Sequence, residues 1–337
     1  MKIELELLEP MYSTYHHYGA STAIIKSNPT IKNWYLNNAI NLYCSTRFTR
    51  GYTTPELGIC NAHWQQNDIF EIKNYPFTHI TRCTNTVIHN LLNDGYYVYF
   101  NGVDDYYIKG KTWYKEQHFI HNGLICGYDT VGKTYCIYAY NSQWKYEKFW
   151  TPQKCFDQGR LYAAKTGAKG GIWALKPKAD IINFSINDVC KEISKYLDSN
   201  MSKYPEDKCW SVYGIVVHEY IAKYLDKLYD GSIPYERMDR RIFRLIWEHK
   251  KVLLEIIEKI EQTLMLGDEI SKKYKLLVSE ADTMRMLYAS HHMKRRDAVL
   301  PTIKTKLLKL MEEEKKLLSL LMNKTDEMLE SSKLYVQ

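Results

Sequence analysis

The sequence lacks several features that would place it in a familiar class of protein. No apolar run approaches the roughly 20 residues that span a membrane, and the start MKIELELLEP has alternating acids instead of the apolar region of a signal peptide. The cysteines form no CxxC pair and show no zinc-ligand spacing. We therefore expect a cytoplasmic protein with reduced thiols, no metal and no bound cofactor. The eight cysteines lie at positions 44, 60, 83, 126, 136, 155, 190 and 209.

The chain also lacks any nucleic-acid-binding module, internal repeat or low-complexity segment. Its formal net charge of +7 favours acidic partners weakly. With 337 residues, 45% hydrophobic and 25% charged, the composition is that of a globular protein, and the length suffices for two domains. Neither nucleic acid nor membrane is expected as a partner. The 29 tyrosines are unusual in number, and we expect most of them in strands or at core edges.

The periodicity of the sequence changes near Gly170. Before this point, strand-like segments such as YYVYFNG are interspersed with shorter helical patterns, and after it the helical patterns become long. We predict an α+β fold, with an N-terminal domain over residues 1–178 and an antiparallel helical bundle over residues 179–337. Helices are predicted within 11–27 and at 31–43, 84–93, 186–199, 211–229, 235–264, 269–293 and 301–329.

The most informative stretch is HFIHNGLICGYDTVGKTYCIYAYN, residues 118–141. It predicts two antiparallel strands joined by the polar loop DTVGK. With a five-residue loop, Tyr128 pairs with Thr134, and the same register sets His121 opposite Asn141. An Asn that orients a His is the second half of a nucleophile–His–Asn triad. The pattern therefore offers His121 as a base and Asn141 as the group that orients its ring, with a histidine at a strand end that touches a polar neighbour by chance as the alternative interpretation.

The nucleophile of such a triad is harder to find. A thiolate is best stabilised at a helix N-terminus, but the helix opening predicted around 18–21 contains no cysteine. Cys83 directly precedes a predicted helix and is the cysteine that this argument favours, with a small buried hydrophobe as the alternative interpretation. Cys126 and Cys136 are predicted to lie directly opposite each other, on the hairpin face away from His121.

The motif HNGLICGYD followed by IYAYN resembles the His/Asn hairpin of papain-like folds. The order of motifs is similar to that of the butirosin-biosynthesis-protein-H-like family, also described as bacteriocin-peptidase-like. The resemblance spans nearly the whole chain, and it implies a papain-like N-terminal domain with a helical bundle covering one side of its cleft. The other segments that carry it are NWYLNNAINLYC, YGIVVHEYIAKYL, RIFRLIWEHKKVLLEII, ADTMRMLY and LLKLMEEEKKLL.

Members of this family transfer acyl groups, held as thioesters on carrier proteins, to amines. The resemblance implies an amide-forming acyltransferase of nonribosomal peptide-type natural-product biosynthesis. Its partners would be an acyl or peptidyl carrier protein, whose phosphopantetheine bears the substrate, and a small amine. The reaction would pass through a cysteine acyl-enzyme, with His121 as base, Asn141 as its orienting group, and an oxyanion hole of N–H groups near Ala20 and Ser21.

In the family pattern the nucleophilic cysteine opens the first long helix. The matching text here is YGASTAII, which puts the slot of the cysteine at Ala20, with His17 as the alternative. Ala20 implies either an engineered Cys→Ala form or a natural relative that binds without catalysing. A cysteine peptidase or thioesterase would use the same residues, and a helical scaffold would use none of them.

A carrier protein is acidic around its phosphopantetheine, so the resemblance also implies a basic docking surface. Two clusters in the helical half could provide it by steering an acidic partner. The trio at a helix end is the preferred cluster. The first cluster is Arg240, Arg241, Arg244, Lys250 and Lys251, and the trio is Lys294, Arg295 and Arg296.

Overall fold

A computed structural model describes residues 1–51, 54–66, 68–199 and 210–334 of the chain. Cys209, one of the eight cysteines considered above, lies outside the described residues. The described part is a mixed α+β protein with an antiparallel sheet and a helical C-terminal region. None of its helices is both long and apolar enough to cross a lipid bilayer.

The chain divides into two compact units. The first unit ends close to the predicted boundary at residue 178, but residues 35–61, which we had placed in the first domain, belong to the second unit. The first unit comprises Met1–Trp34 and Ala62–Asn183, and the second comprises Tyr35–Asn61 and Phe184–Gln337.

Strands and helices follow one another through both units. The strands are β1 Lys2–Glu4, β2 Leu42–Ser45, β3 Leu57–Ile59, β4 Phe70–Pro76, β5 Tyr97–Asp104, β6 Ile120–Asp129, β7 Thr134–Tyr140, β8 Tyr146–Pro152, β9 Gly171–Pro177 and β10 Ser211–Tyr213. The helices are α1 His16–Lys26, α2 Pro29–Asn38, α3 Phe77–Ile80, α4 Thr84–Asn93, α5 Gln153–Lys165, α6 Ile186–Asp198, α7 Val217–Tyr229, α8 Ile242–Leu264, α9 Glu269–Lys294 and α10 Val299–Leu334.

The first unit is built on a seven-stranded sheet. Six strands follow the order β4-β9-β5-β6-β7-β8, and β1 pairs with β6. Strand β5 is interior because it lies between β9 and β6, and its nearly continuous apolar sequence suits that position. Its side chains Val98 and Phe100 join Phe156 of α5 and Ile137 of β7 in the apolar core. The sheet therefore holds the ends of β5, β6 and β7 in a fixed relation to one another.

The β6–β7 hairpin is confirmed, with a shorter loop than the sequence predicts. Asp129 pairs with Thr134, so the loop has one residue fewer than five. A bulge between Ile125 and Gly127 then absorbs one residue of β6, and Leu124 pairs with the residue that the predicted register gives it, Tyr138.

The bulge also changes the relation between the two cysteines of the hairpin. Cys136 pairs with Gly127 and not with Cys126, so the prediction that the two cysteines lie directly opposite each other is wrong. The Cys126 thiol lies 3.6 Å from the carbonyl oxygen of Cys136, and both side chains are buried. These cysteines belong to the interior of the sheet.

The second unit combines a small sheet with the long helices. Strand β2 lies between β10 and β3, which shows that the predicted helix 31–43 ends too late. Helix α8 packs on α9, and α9 packs on α10. Because only short connections join these helices, consecutive members run antiparallel, as in a helical bundle.

A buried polar cluster lies inside this second unit. Glu314 of α10 accepts hydrogen bonds from the Lys250 ammonium at 2.7 Å and from the hydroxyl groups of Tyr196 and Tyr274. Lys250 and Glu314 are completely buried. The assignment of Lys250 to a basic docking surface is therefore wrong, because a buried carboxylate neutralises its charge.

Candidate functional site

His121 stands near the beginning of β6, opposite Val103 of β5. Directly after β5 the chain turns into a short 3-10 helix that starts at Asp105. The two elements bring His121 Nδ1 to 3.1 Å from Asp105 Oδ2. With the carboxylate ionised, Nδ1–H donates to it, and the lone pair of Nε2 is left to act as a base. Asp105 is thus the group that orients His121.

The carboxylate of Asp105 is itself held by a buried lysine. The Lys111 ammonium lies 3.3 Å from Asp105 Oδ1, as an ion pair without the alignment of a hydrogen bond, and it donates to the Asn122 carbonyl at 2.7 Å. Burial lowers the pKa of Lys111, while the charge of Asp105 raises it. A Lys–Asp–His series of this kind keeps the carboxylate in one position beside the imidazole.

Asn141 does not take part in this series, so its predicted hydrogen bond to His121 is wrong. Its Oδ1 accepts the backbone N–H groups of Gln143 at 2.8 Å and Lys145 at 3.0 Å, and its Nδ2 donates to Glu147. The physical reason is that β7 ends one residue earlier, at Tyr140. Asn141 pairs in an isolated bridge with Lys111 instead of with β6. Its side chain therefore builds the turn that follows the hairpin.

The helix that faces the sheet begins earlier than the sequence predicts. Helix α1 starts at His16 with Tyr15 as N-cap, and Ala20 is fully buried in its second turn. Only the first-turn N–H groups of a helix lack an intrahelical acceptor, and the Gly19 N–H already donates to the Tyr15 carbonyl. The predicted oxyanion hole at Ala20 and Ser21 is therefore wrong, because both residues follow Gly19 along the helix.

The residue of α1 whose ring contacts His121 is His16. The two ring centroids are 4.3 Å apart in an edge-to-face arrangement. Only 7% of His16 is exposed, and neither of its ring nitrogens has a hydrogen-bond partner within the part of the chain that the structure describes. Burial, with a smaller effect from Lys111, holds the pKa of His16 well below its usual range. The buried site therefore favours the neutral imidazole of His16 over the charged form.

Two tyrosines fix the start of α1 on the sheet. The Tyr140 hydroxyl donates to the Ser13 carbonyl at 2.8 Å, and the Tyr146 hydroxyl donates to the His16 carbonyl at 3.3 Å. Gly19 permits this approach, since a Cβ atom there would lie 2.5 Å from the Tyr146 ring. These contacts hold the His16 ring beside the His121 ring.

None of the seven cysteines in the described residues is bonded to His121, whose side chain bonds to Asp105. Cys83 precedes α4, as expected, but it is exposed, and its side chain does not cap the helix. The described residues also contain no group of three or more potential metal ligands.

A second His–Asp pair lies beside the first. His118 Nδ1 is 2.6 Å from Asp104 Oδ2, and the His118 ring stacks on Tyr162 with centroids 4.2 Å apart. Asp104 is the last residue of β5 and Asp105 follows it, so two consecutive acids stand at the end of a buried strand. The consecutive acids were the signal in the sequence for these two pairs, because acids at the end of a strand place carboxylates at the edge of the sheet. We did not use it.

Three aromatic rings, two of them exposed and the middle one half-buried, extend from His121 along the surface of the first unit. The Phe119 ring contacts the His121 ring with centroids 4.8 Å apart. Trp113 contacts both Phe119, at 6.4 Å, and Trp144, at 5.9 Å. Phe119 is 41% exposed and Trp144 is 57% exposed. His121 is thus bordered by a continuous surface of aromatic rings.

No family model and no curated protein sequence matches the chain.

Proposed function

We propose that the first unit is a papain-like acyl-transfer domain that passes an acyl group from a carrier-protein thioester to a small amine. The observation that carries this proposal is the His121–Asp105 pair, held against the first residue of α1. A helix start beside a histidine on a neighbouring strand is the arrangement that the papain-like resemblance leads us to expect. Asp105 takes the orienting role that we had assigned to Asn141.

The His121–Asp105 pair supports transfer without an acyl-enzyme. The amine nitrogen attacks the thioester carbonyl, and His121 Nε2 takes the proton that the nitrogen loses. The carbon–sulfur bond then breaks, and the protonated imidazole returns its proton to the departing phosphopantetheine thiolate. One amide and one thiol are formed. This route needs no cysteine. An acyl-enzyme would need one beside His121, and none of the described cysteines is bonded to that histidine.

The proposal is tested by assaying the purified chain with acyl thioesters of N-acetylcysteamine and of a carrier protein, each with and without a panel of amines. Amide formation, followed by mass spectrometry, should fall about 10²–10⁴-fold in His121→Ala. Asp105→Asn should lose activity as well. His79→Ala, which alters an exposed histidine of α3, is the matched control and should be neutral. Amide yields that are equal in His121→Ala and His79→Ala would contradict the proposal.

A second candidate function is binding without catalysis. It is favoured by one observation, which is that a buried histidine occupies the position in ring contact with His121. In that case the chain would retain an acylated carrier intact, and amines would not be consumed. Binding of the carrier thioester with no turnover, unchanged in His121→Ala, would select this function.

The carrier protein remains the proposed partner, and the trio Lys294, Arg295 and Arg296 remains the proposed docking surface. All three side chains are exposed, although Arg295 also pairs with Glu236 at 3.0 Å. Reversal of the trio to Glu should weaken carrier binding, more strongly at low salt than at high salt. A matched control reverses three other exposed lysines of α9, Lys272, Lys273 and Lys275. Equal effects of the two reversals would place docking elsewhere.

A further inference from the structure

The aromatic surface beside His121 consists of Trp113, Phe119 and Trp144. Its rings are in contact one after another, and the last contact joins Phe119 to His121. Large apolar side chains that remain this exposed and lie together mark a binding surface more often than scattered ones do. Because the Phe119 ring contacts the His121 ring, a substrate that reacts at His121 can place an apolar part on this surface.

Trp144 holds its place on this surface in an unfavourable backbone conformation. Its φ is +59°, in the left-handed region that side chains with a Cβ rarely adopt. Strain of this kind persists where the surroundings enforce it, and it is concentrated at functional sites. A tryptophan that is more than half exposed gains little from packing, so its own burial does not account for this conformation.

Asn141 enforces the conformation of Trp144. Its side-chain oxygen accepts the N–H groups on either side of Trp144, and its carbonyl accepts the Trp144 N–H at 3.0 Å. The same carbonyl accepts the Thr112 hydroxyl at 2.7 Å, which joins the turn to the segment that carries Trp113. The residue that we expected to orient the base thus presents an aromatic ring beside it.

We propose that Trp113, Phe119 and Trp144 bind the acyl group of the thioester, and that this group is apolar. The inference rests on the proposed function, because it assumes that the thioester carbonyl lies at His121. Of the three parts of the reaction, the acyl group is the one that this surface suits. A phosphopantetheine arm would leave its amides without partners on a surface of rings, and the proposed small amine is too short to extend over three rings in succession.

The first test is selectivity. Acetyl, octanoyl and benzoyl thioesters of N-acetylcysteamine are compared as substrates of the full chain. Trp144→Ala and Phe119→Ala should lower kcat/KM for the octanoyl or benzoyl substrate by about tenfold or more, while acetyl transfer changes less than about twofold. Leu161→Ala removes another apolar side chain, 43% exposed on α5, and should leave every substrate unaffected. An unchanged ratio of octanoyl and benzoyl to acetyl transfer in both ring variants would overturn the inference.

The second test separates this inference from the proposed function. In His121→Ala, binding of octanoyl-N-acetylcysteamine is followed by quenching of tryptophan fluorescence, with acetyl-N-acetylcysteamine as the comparison. Tighter binding of the octanoyl compound that disappears in Trp144→Ala supports the aromatic surface even if no thioester is ever turned over. Equal binding of both compounds, or octanoyl binding that survives Trp144→Ala, would overturn the inference while leaving acyl transfer open. Occupation of the surface by the carrier protein without its acyl group would overturn it too.

Discussion

The ring of His16 meets the ring of His121 edge to face, with the two centroids 4.3 Å apart. In a helix, a residue four positions later lies on the same face, about 6 Å further along the axis. Ala20, where the papain-like pattern puts its cysteine, is therefore one turn beyond the residue that contacts the base. A cysteine introduced at position 16 would therefore lie beside His121, whereas the papain-like motif predicts that position for residue 20.

The two positions differ in the reactivity of an introduced thiol. Iodoacetamide should modify His16→Cys at lower pH than an ordinary cysteine, because His121 and the N-terminus of α1 stabilise the thiolate. Ala20→Cys should react more slowly, since position 20 is fully buried and lies one turn beyond the helix start, whereas position 16 is the first residue of α1 and 7% of its side chain is exposed. Peptide mass spectrometry distinguishes these sites from the native cysteines. Faster reaction of Ala20→Cys than of His16→Cys would restore the motif-based assignment.

Asp105 and Lys111 should depend on each other for stability. Asp105→Asn leaves the buried Lys111 ammonium without a counter-charge, and breaking such a pair costs on the order of 3–5 kcal/mol. Lys111→Met in the same chain should recover a large part of this loss, because neither charge is then left alone. Urea unfolding of the two single variants and of the double variant gives the coupling free energy. Additive losses would mean that the ion pair is not energetically coupled.

The two interpretations of Asn141 predict opposite results for Asn141→Asp. A residue that orients a histidine can be Asn or Asp, so activity would survive. In the turn, the new carboxylate would face Glu147, to which Asn141 now donates a hydrogen bond. We expect Asn141→Asp to lower the free energy of unfolding by roughly 1–3 kcal/mol at pH 7, and Glu147→Gln to restore it in the double variant. Stability and activity that stay unchanged in Asn141→Asp would return this residue to the triad.

The second unit should lose stability in mild acid. Burial lowers the pKa of His218 to about 4 and that of His249 to about 3, with the charge of Lys250 as a further cause. The unfolded chain binds protons at these histidines below about pH 6.5, while the folded chain does not. Stability should therefore fall as the pH drops below 6.5, by about 1.4 kcal/mol per pH unit for each histidine.

Glu314 adds to this effect at lower pH. Burial alone would raise its pKa, but the charge of Lys250 lowers it to about 2, so the stability it contributes is lost as the pH falls from about 4.5.

Urea unfolding followed by circular dichroism at pH 7, 6 and 5 measures how steeply the free energy of unfolding falls with pH in the range where the two histidines act. His249→Gln, whose amide can still donate to the Ile40 carbonyl, should roughly halve this slope. The exposed His79→Gln serves as the control, and equal slopes in both variants would contradict the prediction.

Local patterns in the sequence predicted local structure well. The helix at Thr84–Asn93 has the predicted bounds, and the hairpin around the loop DTVGK is present. Both depend on residues close in sequence, where periodicity and turn residues decide the outcome. The start of α1 was misplaced because Tyr15 is its N-cap and offers no side-chain cap for a pattern to reveal.

Local sequence patterns could not predict the pairing of Asp105 with His121. It depends on the pairing of β5 with β6, including a register shift between Phe100 and Val103. Hairpin register gave the correct partner for Leu124, but the chain leaves the sheet at Asn141, and no spacing rule predicts where a strand ends. The motif therefore drew attention to His121, whereas the carboxylate that pairs with it depends on a contact between strands that are distant in sequence.

The bulge in β6 has a consequence for how the hairpin can vary between homologues. A five-residue loop without a bulge and a four-residue loop with one both give Leu124 the same partner, so each hairpin delivers His121 to the same end of the sheet. An insertion in the loop can therefore be offset by a deletion at the bulge, several residues away. Alignments of relatives should show such paired gaps at positions 126 and 130–133, while the spacing from Leu124 back to His121 stays fixed.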